Sequence, residues 1–327
     1  MKHLNRILCI TPINHIDGLE IKLKDVGVLK IIDDPSEDEF KKLVSDFEII
    51  FTNPNKSKIF LGADNLKSAE NLKAICTAST GTNHIDKEFC NLRNIEVISL
   101  TNELNVISTI SSTAEHALTL MLSSIRNIKL ASASVDAGNW DYEPFVGRQL
   151  DQLSLGIIGY GRLGKMMGKF CKALFKEVII YDPYEKVDDK DLAQVVNIQE
   201  IAQKCDVVSL HVHVSNETQN LINEVFLRNA KPNMLLINTS RGEIVDEAEM
   251  VKFLKKNPQS KIATDVLNNE IIARNESPIL GYSAISEQVL ITPHIGGMTS
   301  DAQKIAYSHA ASLLANYLNL KQKTNKV

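Results

Sequence analysis

What the chain lacks narrows its class before any motif is read. No uninterrupted apolar run approaches the roughly 18 residues that suggest a membrane-spanning helix. Met1-Lys2-His3-Leu4-Asn5 leads straight into strand-like sequence, without the long apolar stretch of a signal peptide. The expected location is the cytoplasm. Cysteine is scarce: Cys9, Cys76, Cys90, Cys171 and Cys205 stand far apart with no C-x-x-C pair, so neither a disulfide framework nor a zinc site is indicated. They are expected to be small buried hydrophobes, and no metal is expected. Charge of one sign is missing too. Thirty-six Lys and Arg against forty Asp and Glu leave a net charge of −4 and no dense basic stripe, which argues against a nucleic-acid partner. No repeat in the tens-of-residues range and no low-complexity segment points to a solenoid or a linker.

What is present is an average soluble composition, 44% hydrophobic and 23% charged, in 327 residues, enough for about two domains. Short β-rich runs alternate with helical patterns: Arg6 to Ile10, Val28 to Ile32, Glu48 to Thr52, Lys73 to Ala78 and Glu96 to Leu100. A second series follows at Leu153 to Ile158, Val178 to Tyr181, Asp206 to Leu210, Met234 to Asn238, Ile262 to Asp265 and Val289 to Thr292. This rhythm predicts α/β parallel sheets. Between the series, Ala117, Leu118, Leu120, Met121, Ile125 and Ile128 recur at near-helical spacing, predicting one helix from about Ser112 to Leu130. A final helical pattern, Ser300 to Leu320, follows the second series and must pack elsewhere, the first domain being the natural place.

The run Gly159-Tyr160-Gly161-Arg162-Leu163-Gly164 leaves a predicted strand and enters a predicted helix, Lys165 to Phe175. This is the context a dinucleotide-binding G-x-G-x-x-G requires. Gly159 permits the tight turn, Gly161 lets the backbone approach a pyrophosphate, Gly164 allows helix to pack on strand, and the helix start supplies amide donors. Asp182 follows 18 residues after Gly164, where the next strand should end and a carboxylate can receive the ribose hydroxyls. A negative charge there repels a 2′-phosphate, and Pro183-Tyr184-Glu185 offers no Arg to receive one, so NAD is expected rather than NADP.

Three further segments join the glycine loop: Asn238-Thr239-Ser240-Arg241-Gly242-Glu243-Ile244-Val245-Asp246, Thr264-Asp265-Val266-Leu267-Asn268-Asn269-Glu270 and Thr292-Pro293-His294-Ile295-Gly296-Gly297. Upstream stand Thr80-Gly81-Thr82-Asn83-His84-Ile85-Asp86 and Thr113-Ala114-Glu115-His116. Together, in this order, they closely resemble the D-isomer-specific 2-hydroxyacid dehydrogenase family over nearly the whole chain. The resemblance implies two Rossmann-like domains: a flavodoxin-like substrate domain, residues 1–104 plus 299–327, and an inserted NAD-binding doubly wound parallel sheet, residues 105–298. It also implies a homodimer around the long helix and the segment after it. Trp140, Tyr142 and Phe145 then either pack across that interface or belong to an intramolecular core.

Reducing a 2-oxo acid needs a hydride at C2, a proton at the carbonyl oxygen and a cation for the carboxylate, and a nicotinamide supplies only the first. His294 is suited to donate the proton, because an imidazole exists in either form near neutrality. Glu270, accepting from the other ring nitrogen, would orient the ring, and Arg241 offers a planar fork for the carboxylate. The resemblance assigns the same roles. It further implies that Asp265 orients the nicotinamide carboxamide, that Thr239, His211, His294 and Gly296 lie at the cofactor beside Tyr160, Arg162 and Leu163, and that Thr80 and Gly81 hold the substrate carboxylate through backbone amides. His84 and His116 read as structural, and Ser112-x-x-Glu115 reads as a helix capping box. Two departures stand out: His213 occupies a place where the family commonly has proline, and Ile271 follows Glu270 where proline is frequent. His213 reads as incidental.

The Gly296-Gly297-Met298-Thr299 ending is most similar to the D-3-phosphoglycerate dehydrogenase branch. That branch commonly carries an Arg-Ser pair in the loop that here reads Thr52-Asn53-Pro54-Asn55-Lys56-Ser57-Lys58. Lys56 or Lys58 would replace the guanidinium as a point charge, or be solvated lysines in a polar turn. The chain ends soon after its last helix, so the C-terminal regulatory domain of longer relatives is not expected. The substrate expectation is 3-phosphoglycerate with 3-phosphohydroxypyruvate first, and hydroxypyruvate or glyoxylate second. A nucleotide-sensing binding protein on the same fold is the alternative of a different class. A formate dehydrogenase fits less well, since that branch pairs its histidine with glutamine.

Overall fold

Ile49-Ile50-Phe51-Thr52 is buried at every position, a pattern that suits a strand covered on both faces, as parallel sheets require. The computed structural model describes residues 4–54 and 59–324, with side chains described to residue 321. The chain divides into two units, one running through Ile110 and resuming at Met298, the other spanning Ser111–Gly297.

In the first unit β1 (Asn5–Cys9), β2 (Gly27–Ile31), β3 (Ile49–Thr52), β4 (Ala74–Thr77) and β5 (Glu96–Ile98) form a wholly parallel sheet ordered β2-β1-β3-β4-β5. This is the flavodoxin-like order. Side chains alternate between two cores, Ile7 and Cys9 facing one way, Leu8 and Ile10 the other. The helix Ser300–Thr324 covers the Ile7 face with Tyr307, Ala310, Ala311, Leu314 and Leu318. The last helical pattern thus completes the first unit.

The second unit holds β6 (Ser154–Ile158), β7 (Glu177–Tyr181), β8 (Ala193–Val195), β9 (Val207–Leu210), β10 (Leu235–Asn238), β11 (Lys261–Thr264) and β12 (Val289–Ile291). They lie parallel in the order β12-β11-β10-β9-β6-β7-β8. The doubly wound sheet reverses its winding between β6 and β9, and ligands of such sheets bind beyond the strand ends at that reversal. β8, absent from the sequence-based expectation, is a three-residue edge strand whose Ala193 and Gln194 are exposed. The helix expected from Ser112 to Leu130 is two helices, Ser112–Ile125 and Ile128–Asp136. Asn127 breaks it at φ 53°, a left-handed conformation that asparagine tolerates, and Lys261 donates to its side chain and to the Ser124 carbonyl (3.2 Å).

The first of these helices buries Ala117, Leu120 and Met121 against the sheet. The second buries no residue. It lines, with the segment after it, a groove of about 1000 Å³. Trp140 and Tyr142 stand 91% and 78% exposed there, which overturns the intramolecular-core reading for both. All five cysteines are buried, and burial pushes the Cys9, Cys171 and Cys205 thiols up to about 12. Among the described residues no helix is long and apolar enough to cross a membrane, and no cluster of metal-binding side chains occurs.

Candidate active site

Strands β6, β9 and β10 are neighbours, with Ile158, Leu210 and Asn238 paired in register. The glycine loop, His211 and Thr239-Ser240-Arg241 therefore leave the same edge of the sheet side by side. Gly159 sits at φ 93°, and a Cβ on Gly164 would lie 1.9 Å from the Gly159 carbonyl oxygen, so only glycine closes this turn against its helix. Gly161 differs. Its backbone is extended at φ −72°, and a Cβ there would meet nothing within 4 Å. Folding alone does not demand glycine at 161, and the space beside it is open. The helix starts at Arg162, three residues before the expected Lys165, and ends at Cys171.

Two further features fit a dinucleotide at this edge. The Thr239 hydroxyl and His211 Nδ1 are buried and meet no hydrogen-bond partner among the described residues, a costly arrangement unless a ligand or water satisfies them. His211 Nε2 pairs with Ser209 Oγ at 2.8 Å, and burial pushes the ring down to about 4, so it stays neutral. Asp182 ends the strand beside the glycine loop, and its carboxylate accepts from the amides of Tyr160 (2.6 Å), Tyr184 (2.8 Å) and Glu185 (3.0 Å). It thus ties the glycine turn to the β7 end as well as presenting charge. Leu163 and Tyr160 contribute to the core around this helix.

The chemistry-bearing trio leaves the β10, β11 and β12 ends. His294 Nδ1 donates to Glu270 Oε1 at 2.6 Å, which fixes the ring's orientation. His294 itself is left-handed, φ 55°, a conformation rare for a residue with a ring. Asp265 holds that turn. Its Oδ1 accepts from the Thr292 hydroxyl (2.5 Å) and the Ile295 amide (2.9 Å), and its Oδ2 from the Gly296 amide (2.7 Å). Burial raises its pKa, but these donors and His116 outweigh burial and hold the carboxyl below its ordinary value. Arg241 donates to the Ser240 carbonyl (2.6 Å), inside a turn closed by Asn238 Nδ2 on the Arg241 carbonyl (2.8 Å). Desolvation lowers the Arg241 pKa, while the charges of Glu270 and Glu243 work the other way.

A donor-lined turn at a sheet's winding reversal, with Arg, His and Glu on adjacent strand ends, directs the comparison with known proteins. Residues 118–296 match the family model of the D-isomer specific 2-hydroxyacid dehydrogenase, NAD binding domain. The chain belongs to this family. It is 30% identical over 316 residues to the D-3-phosphoglycerate dehydrogenase of Methanocaldococcus jannaschii, covering 96% of this chain and 57% of that protein. The chain thus spans little more than half the length of that curated relative. The D-lactate dehydrogenase of Aquifex aeolicus, solved with NAD and lactic acid, is 27% identical with a TM-score of 0.79 over 98% of both chains. The NAD-dependent formate dehydrogenase of Staphylococcus aureus, solved with NAD, is 25% identical with a TM-score of 0.81 over 96% of both.

The second unit of this 2-hydroxyacid dehydrogenase relative is therefore an NAD-binding domain, and the Gly161 space and the two orphaned polar atoms suit that cofactor. In the first unit, the carbonyls of Thr80 and Gly81 accept from Thr101 (2.8 Å) and Ser79 (2.6 Å), while the two amides donate to no acceptor among the described residues. Lys56 and Lys58 lie outside the described residues; Asn53, just before them, is buried and donates to the Ala78 carbonyl at 3.1 Å. His116, read as merely structural, supports the site: Nε2 lies 2.9 Å from Thr292 Oγ1 and 3.2 Å from Asp265 Oδ1. Because the Thr292 hydroxyl spends its proton on Asp265, His116 Nε2 is the donor in its contact with Thr292. The only sequence signal for this role was the Thr-Ala-Glu-His motif. The capping box is also different, since Glu115 pairs with Ser111 Oγ (2.5 Å) rather than serving Ser112.

Proposed function

We propose that this protein interconverts a small D-2-hydroxy acid and its 2-oxo acid with NAD. The observation that carries this reading is the 2.6 Å pair of His294 and Glu270 on the strand ends that also present Arg241. The nicotinamide, when bound, supplies or takes the hydride at C2. His294 exchanges the proton of the substrate oxygen through Nε2, with Glu270 fixing the ring's orientation. Arg241 pairs with the substrate carboxylate and polarises the carbonyl. Asp265 and His116 act through the His294 turn. Gly161, Arg162 and the helix start receive the pyrophosphate, Tyr160 holds the turn behind them through its bond to Asp182, Asp182 receives the ribose, and Thr239 and His211 offer buried polar atoms to the dinucleotide. The amides of Thr80 and Gly81 are proposed substrate contacts.

Phosphorylated three-carbon acids come first as substrates, supported by the similarity to D-3-phosphoglycerate dehydrogenases, with hydroxypyruvate and glyoxylate second. The partner proposed for the exposed helix and Trp140 is a second copy of the chain. NADH oxidation against a panel of 2-oxo acids tests the reading. Turnover with phosphohydroxypyruvate above hydroxypyruvate in kcat/KM supports the leading substrate. Turnover with none, despite NADH binding, overturns the enzyme reading in favour of a nucleotide sensor. A preference for the unphosphorylated acid that survives K56A and K58A removes the phosphate contact.

A further inference from the structure

His213 stands where the family commonly carries proline, and the sheet gives that exchange a chemical setting. Ile158, Leu210 and Asn238 are paired across β6, β9 and β10. Four residues beyond the first comes Arg162; three beyond each of the others come His213 and Arg241. Three nitrogen-rich side chains thus leave adjacent strand ends at nearly the same step. The loop carrying His213 also lies on the glycine turn, since a Cβ on Gly159 would meet the His211 carbonyl oxygen at 2.5 Å and Val212 Cγ1 at 2.7 Å. His213 is therefore beside the turn whose amides face the pyrophosphate in the cofactor reading above.

We propose that His213 is a proton-linked contact for the dinucleotide's phosphates, taking up a proton as the cofactor binds and then standing as a third positive charge beside Arg162 and Arg241.

The electrostatics agree with the placement. In the protein alone the His213 ring is held below the usual histidine value, first by partial desolvation, then by Arg241 and Arg162. Those two cations are the charged groups that act on it. On the neighbouring elements, Glu270 and Glu243 face Arg241. On its own loop Glu217 is engaged by the Tyr184 hydroxyl, and His211 is already neutral. Desolvation first, and then repulsion from the two arginines, disfavour a charge on His213, and an anion opposes that repulsion. A pyrophosphate does so, and raises the ring's affinity for a proton. The sign follows by linkage: binding is tightest where His213 is protonated in the complex, and weakens as pH rises through the complex's pKa. Proline at this position can offer neither the charge nor the proton.

The inference rests on the cofactor part of the proposed function and not on its substrate. NADH dissociation constants, measured by fluorescence from pH 5.5 to 8.5, test it in the wild type, H213P and H213N. Wild-type affinity should fall about 3- to 10-fold over that range, the span expected for a shift of roughly half to one unit, and both variants should lose most of the slope. Calorimetry in two buffers of different ionisation enthalpy should show proton uptake by the wild type and less by either variant. Variants that melt like the wild type yet keep its full slope and uptake overturn the role of His213. A slope that depends on His213 only with phosphohydroxypyruvate present, and not with NADH alone, assigns the ring to a substrate phosphate and overturns the dinucleotide contact. Failure of the wild type to bind NADH at any pH would overturn the cofactor reading itself.

Discussion

His116 Nε2 lies 3.2 Å from Asp265 Oδ1, so a helix of the NAD-binding unit reaches the carboxylate that fastens both amides following His294. The imidazole that carries the proposed proton transfer is thereby held from two sides, by Glu270 at Nδ1 and by Asp265 through the backbone. Loss of the Asp265 anchor should misplace the ring without removing it. D265A is expected to lower kcat by about 10²-fold, the scale of a misplacement near 1 Å. H116Q, which keeps a donor, should lose less than H116A. Equal turnover in D265A and wild type would show that the anchor has no part in positioning.

The same carboxylate has a pH signature. Its folded-state pKa is depressed, so its contribution to stability is complete above the unfolded pKa and is lost as pH falls through the folded one. The melting-temperature gap between wild type and D265N should be constant above about pH 5 and shrink in acid. A gap that widens on acidification contradicts the assignment.

H294A should lower turnover by about 10²- to 10⁴-fold, the range for a lost general acid, while leaving NADH binding nearly intact. Reduction needs the imidazolium and oxidation the neutral ring, so the pH–rate profiles of the two directions should slope oppositely. Matching profiles would take His294 out of the proton transfer.

The three glycines of the loop should separate under substitution. G164A places a Cβ against the Gly159 carbonyl and should destabilise the fold. G161A meets open space and should melt like the wild type, yet bind NADH at least tenfold more weakly. Unweakened NADH binding by G161A would mean that the loop does not back onto the cofactor. Asp182 should show both effects: NADH preferred over NADPH in the wild type, and in D182A weaker NADH binding together with a loosened turn, because the Tyr160 amide loses its acceptor.

Light scattering after size exclusion tests the second-copy proposal. The wild type should run as a dimer, and W140D with Y142D should shift it toward the monomer, since both side chains stand in solvent in the single chain. A monomeric wild type would leave the Ile128–Asp136 face without the proposed partner.

Strands were legible wherever both faces are covered, because burial at every position leaves an apolar run such as Leu235-Leu236-Ile237. β8 was not, because an edge strand of three residues with exposed Ala193 and Gln194 carries no such run. The break at Asn127 was invisible for another reason: apolar spacing continues across it, and Lys261, which engages the Asn127 side chain, lies 134 residues away. In the site, His294, Glu270 and Arg241 announced themselves by residue type and motif. His116 did not, because its meaning lies in Thr292, 176 residues further on. Asp182 was half read: its charge was visible, its three backbone donors were not.

The first unit is also interrupted in the chain. Tyr307, Ala310, Leu314 and Leu318 fill the core around Ile7, Phe51 and Cys76 that Leu19 and Leu23 cover only in part, so on a ribosome the five strands emerge long before that face can be fully covered. The inserted NAD-binding unit has all its strands in hand by Ile291. The inserted unit therefore has its whole sheet synthesised before the core of the earlier unit is complete. Until residue 318 is made, the side chains that complete the Ile7 face, Tyr307 to Leu318, are missing from its core.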